Sequence, residues 1–172
     1  MLKIAFLFLV VIASALSQCL EPAGVKNFDR AKFSGSWRNH VVVGTSLVTD
    51  VIPPCVAFSF TGSTKYDVLL SYVRDGQVGT LSSVEVSSTG GSFIVSDDSG
   101  RLAKIVVLDT DYVNYASLYF CAVSNSSRST VEVFTRSRVR DDHLIEKKLA
   151  EAQKIVPITS PRADVDQRNC IN

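Results

Sequence analysis

The sequence predicts an all-β protein, an eight-stranded antiparallel up-and-down β-barrel with one C-terminal α-helix packed on its outside. From residue 37 to residue 138, short runs rich in Val, Ser, Thr, Phe and Tyr alternate with clusters of turn residues. No helical pattern lies between these runs, so consecutive strands are expected to pair as an antiparallel meander. Such a sheet protects its edges best by closing into a barrel. A single amphipathic segment after the last run predicts the helix.

The strand pattern recurs along this region, and turn clusters such as 74–77, 97–100 and 124–127 separate the runs. The connections at these turn clusters are tight, which is typical of hairpins. The predicted strands cover residues 37–43, 56–61, 66–73, 77–87, 92–96, 102–109, 115–123 and 130–136.

The predicted helix covers residues 141–156. Asp141 can cap its first turn, and Pro157 ends it. The polar face carries charges of both signs, which favours packing against the outside of the barrel over a place on a membrane surface. The apolar stripe expected to face the barrel consists of Ile145, Leu149, Ala152 and Val156.

The first residues have the pattern of a secretory signal peptide. Lys3 precedes an apolar run over residues 4–13, and Ala15 and Ser17 supply the small side chains that signal peptidase requires. The run is shorter than the ~20 residues that cross a bilayer. A cleaved leader over residues 1–17 is therefore favoured over a signal anchor, and the protein is predicted to be secreted.

The remaining residues, 18–172, have the length of one domain. We expect the barrel at about 37–138, the helix at about 141–156 and a polar surface tail at 157–172. The formal net charge of +1 gives no electrostatic footprint for nucleic acid or for an acidic membrane. No later segment is long enough to span a membrane, so a membrane-spanning protein is not expected.

Four cysteines in a secreted chain predict two structural disulfides. None of them has the C-x-x-C spacing of a zinc or redox site, and no metal is expected. Four cysteines allow three pairings, and their spacing does not choose among them. They are Cys19, Cys55, Cys121 and Cys170.

Three separate stretches of the sequence carry short motifs. Asn27-Phe28-Asp29 precedes Gly35-Ser36-Trp37, Thr110-Asp111-Tyr112 precedes Asn114-Tyr115-Ala116, and Arg136 ends the last strand before the helix. In this order they resemble the three motifs of the lipocalins, most closely the apolipoprotein D, insecticyanin and crustacyanin branch. The resemblance covers nearly the whole mature chain and implies a barrel that encloses a ligand cavity.

The resemblance also implies structural roles for the motif residues and a disulfide pairing. Gly35 would allow a close turn, Trp37 would plug the closed end, and Arg136 would stack over the indole ring as a cation–π pair. Relatives often have a tyrosine where this chain has Arg38. In this branch the pairing is Cys19–Cys121 and Cys55–Cys170. The motif residues with structural roles are Gly35, Trp37, Thr110, Asp111, Tyr112 and Arg136.

The alternation of strand residues predicts which side chains face the interior. Cys121 must face outward to reach the amino-terminal segment, so Leu118 and Phe120 face inward, and counting back from Arg136 places Phe134 and Glu132 inward. Such a lining, mostly apolar with a few polar groups, is typical of a small-molecule cavity. On the third strand, the resemblance implies that Leu70, Tyr72 and Arg74 face the pocket. The predicted ligand-binding residues are Val56, Phe58, Phe60, Leu70, Tyr72, Arg74, Ile105, Val107, Leu118, Phe120, Glu132 and Phe134.

Two polar residues need separate interpretation. A carboxylate inside the barrel is costly unless it is paired or protonated, so Glu132 would pair with Arg74 or meet a polar or cationic ligand head. The alternative is a slip in the strand alternation that turns Glu132 to solvent. Asn125 begins an Asn-Ser-Ser sequon in the predicted turn between the last two strands, and glycosylation there is expected.

These observations predict a secreted carrier of a small hydrophobic ligand of the lipid, retinoid, bilin or carotenoid class. The alternative is a pigment- or amine-sequestering subunit that works through homo- or hetero-oligomeric assembly, whereas the carrier is expected to be a monomer. An enzyme is disfavoured. Cys55 opens the second strand, where some lipocalins carry a catalytic thiolate, but a disulfide would remove it. His40 and His143 belong to no catalytic motif, and neither catalytic residues nor a cofactor are expected.

Overall fold

The computed structural model describes residues 19–45 and 52–170, so the predicted leader over residues 1–17 lies outside the described residues. The strands and helices follow the short, turn-separated runs of the sequence. In chain order they are α1 (Arg30–Phe33), β1 (Gly35–Gly44), β2 (Ala57–Thr61), β3 (Asp67–Arg74), β4 (Gln77–Thr89), β5 (Ser92–Asp97), β6 (Leu102–Thr110), β7 (Tyr115–Ala122), β8 (Asn125–Thr135), α2 (Asp142–Ile155) and β9 (Arg162–Asp164).

Strands β1 to β8 form a closed antiparallel barrel, which confirms the predicted fold class. The strand order is β2-β3-β4-β5-β6-β7-β8-β1-β9, and an additional pairing between β1 and β2 closes the ring. In that closing pair, Gly35 lies opposite Phe60 and Trp37 lies opposite Phe58. Closure leaves the eight strands without a free edge along this seam.

The last hairpin differs from the prediction. Strand β8 begins at Asn125, because Ala122 pairs with Asn125 and the turn consists only of residues 123 and 124. The pairing register shifts between Cys121 and Ala122, which is a β-bulge of the kind found near barrel rims. The predicted turn at 124–127 is therefore two residues long and lies earlier.

Helix α2 packs against the outside of the barrel, as predicted. The Asp141 carboxylate accepts a hydrogen bond from the Leu144 amide and caps the first turn. The apolar stripe, with Ile145 and Leu149 at its centre, packs on outward-facing side chains of β6, β7 and β8 such as Tyr119 and Val131. Among the residues that the structure describes, no helix is long and apolar enough to span a membrane.

The chain ends of the domain are fastened to the barrel by two disulfides. Cys19 is bonded to Cys121, and Cys55 is bonded to Cys170, the pairing that the resemblance implied. Strand β9, which the sequence analysis did not predict, pairs with β1. Its end leads to Gln167, whose side-chain amide donates to the backbone carbonyls of Asn39 and Val56. The tail thus fills the seam where β1 and β2 diverge.

Candidate ligand cavity

The interior of the barrel contains a cavity of about 550 Å³. It opens beside the β3–β4 and β7–β8 turns, where Arg74, Ser124 and Asn125 contribute to its rim. Most of its lining side chains are apolar, and its volume falls within the ~300–1,000 Å³ that is usual for small-molecule sites.

The predicted ligand-binding residues separate into two levels inside the barrel. One set lines the cavity: Val56, Phe58, Leu70, Tyr72, Arg74, Ile105, Phe120 and Glu132. The other set lies in the packed aromatic floor below the cavity: Phe60, Val107, Leu118 and Phe134. The predicted alternation agrees with this placement, since Leu118 and Phe120 face inward while Tyr119 and Cys121 pack under α2.

The floor is centred on Trp37, which is completely buried. Its ring centroid lies 5.2 Å from that of Phe33, and its indole N–H donates to the Phe33 carbonyl oxygen at 2.8 Å. Phe33 in turn lies 5.1 Å from Phe60, which contacts Tyr66 at 5.5 Å. These rings close the barrel at this end and separate the cavity from solvent there.

Arg136 covers the outer face of this floor. Its guanidinium carbon lies 3.6 Å from the centroid of the Trp37 ring, the cation–π arrangement that the resemblance implied. The same guanidinium donates to the carbonyl oxygens of Ser36, Lys32 and Phe33. Gly35 allows this approach, because a Cβ atom there would lie 3.2 Å from the guanidinium and the residue has φ of +99°.

The second motif forms the turn between β6 and β7. One carboxylate oxygen of Asp111 accepts hydrogen bonds from the amides of Val113, Asn114 and Tyr115. Burial opposes ionisation of Asp111, but these amides keep its pKa below the usual range. The Tyr112 hydroxyl accepts from the Asp29 amide, so this turn is joined to the first motif at the closed end. Thr110 donates to the Tyr115 carbonyl oxygen and completes the turn.

An ion pair between a partly buried arginine and a buried glutamate, which the sequence analysis missed, lies beside the floor. Arg30 donates two hydrogen bonds of 2.7 Å to Glu85, which is 5% exposed, and its guanidinium stacks 4.6 Å from the Tyr66 ring. Burial opposes ionisation of Glu85, yet the bonds from Arg30 hold its pKa below the usual range. The partners lie 55 residues apart in the sequence, so no local pattern points to the pair.

Glu132 faces the cavity and is 8% exposed. The alternative in which it turns to solvent is therefore wrong. Its carboxylate accepts hydrogen bonds from the Asn39 side-chain amide and from the Thr130 hydroxyl, the latter at 2.7 Å. Burial raises the pKa of Glu132 to about 7, and these two donors only partly oppose that effect.

Asn39, the partner of Glu132, was not among the predicted site residues. The register between β1 and β8 shifts between Asn39 and Val41, so that an extra residue, His40, is accommodated in β1. This bulge lets both Asn39 and Val42 line the cavity. The signal in the sequence was an amide side chain two positions after Trp37, which places it on the same inward-facing side of β1 as Trp37.

The charged residues that line the cavity, apart from Glu132, lie at its rim. Arg74, Asp97, Arg101 and Arg128 line it, and Asp97 accepts a hydrogen bond of 2.7 Å from Arg101. Hydrogen bonds from Ser99 and Arg101 lower the pKa of Asp97 to about 2. Asn125 is exposed at the rim as the first residue of β8, not within the turn as predicted.

Comparison with known proteins bears on the fold. No family model matches the chain, and no curated protein matches it. Among solved structures, lobster apocrustacyanin A1 is similar with a TM-score of 0.64 and 22% identity, over 81% of this chain and 79% of that chain. Crustacyanin is a lipocalin. The chain has the lipocalin fold. In this lipocalin barrel, the cavity of about 550 Å³ occupies the open end, and the motif residues lie at the closed end.

Proposed function

We propose that this protein is a secreted carrier that binds a small hydrophobic ligand in the barrel cavity. The observation that carries the proposal is a cavity of about 550 Å³ with an apolar wall, one open end and an aromatic floor. Transfer of apolar ligand surface from water into such a site contributes roughly 25 cal/mol of favourable free energy for each Å² that is buried. Lipids, retinoids, bilins and carotenoids are the ligand classes that we consider.

Secretion is supported by the leader-like residues 1–17 and by the two disulfides, since disulfides persist in oxidising compartments. Binding is favoured over catalysis, because the thiol chemistry open to some lipocalins needs a free sulfur. Here the Cys55 sulfur is bonded to Cys170 and has no thiolate form.

A second candidate function is a pigment-binding subunit of a larger assembly, which the likeness to lobster apocrustacyanin A1 favours. Protein purified from its own source distinguishes the two. Colour and an oligomeric mass in solution support the pigment subunit, whereas a colourless monomer with an extractable ligand supports the carrier.

Leu70→Trp is expected to weaken binding of retinol, a neutral apolar probe, by at least about tenfold. Leu70 lines the cavity opposite Phe58 on β2 and Leu81 on β4, so an indole at this position occupies space that the ligand needs. Retinol fluorescence titration of ligand-free protein measures the dissociation constant.

Leu69→Trp is the matched control. Leu69 precedes Leu70 on the same strand and faces the outside of the barrel, where it is 40% exposed. We expect its retinol affinity to stay within about twofold of wild type. Equal loss of affinity in both variants would place the ligand outside the cavity. Absence of retinol binding to folded wild type, together with absence of binding to the other apolar classes, would refute the carrier proposal.

We also propose that Asn125 carries an N-linked glycan, since its side chain is exposed at the cavity rim and the Ser127 hydroxyl donates to its side-chain oxygen at 2.6 Å. Asn125→Gln and Ser127→Ala, expressed in a glycosylating secretory host, should each lower the mass by one glycan relative to wild type. Intact-protein mass spectrometry measures this. A wild-type mass that equals the bare polypeptide would show that the sequon is unused.

A further inference from the structure

Two carboxylates among the described residues are buried in the barrel, and their surroundings are opposite. Glu85 is 5% exposed and receives both hydrogen bonds of a guanidinium from Arg30. Glu132 is 8% exposed and is held by two neutral donors, Asn39 and Thr130. The fold therefore supplies a cation to one buried carboxylate and only uncharged partners to the other.

The position of Glu132 in the barrel explains why its partners are neutral while Glu85 has a cation. Glu85 lies beside the packed floor, where its counter-ion belongs to the chain. Glu132 lies on the wall of the cavity, where space for a ligand adjoins its carboxylate. A buried carboxylate is costly unless it is paired or neutralised, and each of its oxygens can accept more than one hydrogen bond. The cavity can thus provide the missing positive charge through its ligand.

We propose that Glu132, oriented by Asn39 and Thr130, anchors the head of a ligand that carries a protonated amine. This inference rests on the proposed function and narrows the ligand to a cationic amphiphile. Its ammonium group donates to the Glu132 carboxylate, and its apolar body lies against side chains such as Phe58, Leu70 and Tyr72. The ion pair forms away from bulk water, where charge-assisted hydrogen bonds are strongest.

The other charged groups of the cavity lie towards its mouth. Arg128 is on the same strand, four residues from Glu132, or ~13 Å along a strand at 3.3 Å per residue. Arg74 and Arg101 lie beside the turns at the rim, and Asp97 is bonded to Arg101 there. The side chains that flank Glu132 on neighbouring strands, Val42 and Leu118, carry no charge.

Displacement of bound retinol by dodecylamine and by dodecan-1-ol tests the inference, since the two probes share a chain and differ in the head group. At pH 8 we expect dodecylamine to bind wild type at least about tenfold more tightly than the alcohol. Glu132→Gln should remove this preference and still bind retinol, because Gln can accept from Asn39 and donate to the Thr130 hydroxyl.

Asp97→Asn is the control, since Asp97 is the other carboxylate among the described residues that line the cavity. It should keep the amine preference. Lowering the pH from 8 to 5 should weaken dodecylamine binding by at least about tenfold, because Glu132 has a pKa of about 7 and becomes neutral. Asp97 has a pKa of about 2, so it stays ionised over this range and cannot cause such a change.

Three outcomes separate the two proposals. Equal affinity of wild type for the two dodecyl compounds, with retinol still bound, overturns the amine anchor alone. A preference that survives Glu132→Gln or disappears in Asp97→Asn overturns it as well, because the cation then binds at the rim. Failure of folded wild type to bind retinol, both dodecyl compounds and the other apolar ligand classes overturns the carrier proposal and this inference together.

Discussion

Trp37→Ala is expected to lower the free energy of unfolding by about 3–5 kcal/mol, the range for removal of a large buried aromatic side chain. The indole ring is completely buried, packs against the tilted ring of Phe33 and has its centroid 3.6 Å from the Arg136 guanidinium carbon. Its loss leaves a void in the floor and removes the ring on which Arg136 stacks. Urea unfolding of ligand-free protein, followed by circular dichroism, measures the change.

Val139→Ala is the control for this variant, because Val139 is 80% exposed and its truncation should change the free energy of unfolding by no more than ~0.5 kcal/mol. A loss below about 1 kcal/mol in Trp37→Ala would contradict the assignment of Trp37 to a packed floor. The free energy of retinol binding to the folded variant should change much less than its free energy of unfolding, since Trp37 lies below the cavity lining.

Glu132→Gln is expected to raise the free energy of unfolding by about 2–3 kcal/mol at pH 8 and to leave it nearly unchanged at pH 4. The pKa of Glu132 is raised from 4.5 to about 7 by burial, so the folded protein holds a proton that the unfolded chain has released. Between these two pKa values the stability of wild type falls as the pH rises. The glutamine variant has no such group, and its advantage grows over the same interval. Urea unfolding in ligand-free buffers from pH 4 to pH 8 measures it.

Glu85→Gln is the control, because its effect on the free energy of unfolding should have the opposite sign. The pKa of Glu85 is lowered in the folded protein, so its ionised form contributes stability above the unfolded pKa and loses it as the pH falls through the folded pKa. The substitution should therefore destabilise the protein at neutral pH, where it leaves the partly buried Arg30 without its carboxylate partner. A Glu132→Gln stability difference that does not vary with pH would contradict the buried, unpaired state of Glu132.

Strand alternation predicted which residues of β7 and β8 face the interior. It could not predict how far each of them lies from the open end of the barrel. Cys121 faces outward to meet Cys19, and from that one position the inward side of β7 follows. Whether an inward residue lines the cavity or packs in the floor depends on the stagger between strands, which tertiary packing sets. Leu118 and Phe120 illustrate this, since only Phe120 reaches the cavity.

The residues that were missed depend on irregular or distant structure. Asn39 reaches Glu132 because of a bulge in β1, and bulges have no reliable signal in a single strand. Arg30 meets Glu85 through a short helix and a long strand that are far apart in sequence. By contrast, the strands, the outer helix and the closed end follow from turn residues, apolar periodicity and three short motifs.

The two ends of the barrel are secured by different kinds of bond. Cys121 precedes Ala122 and Cys55 precedes Val56, and both of these neighbours line the cavity, whereas Trp37, Phe33 and Arg136 hold the closed end without any covalent link. Reduction of the two disulfides would therefore remove covalent links beside the cavity and none from the closed end. Because each bridge joins residues more than 100 positions apart, its loss would also lower the stability of the whole barrel.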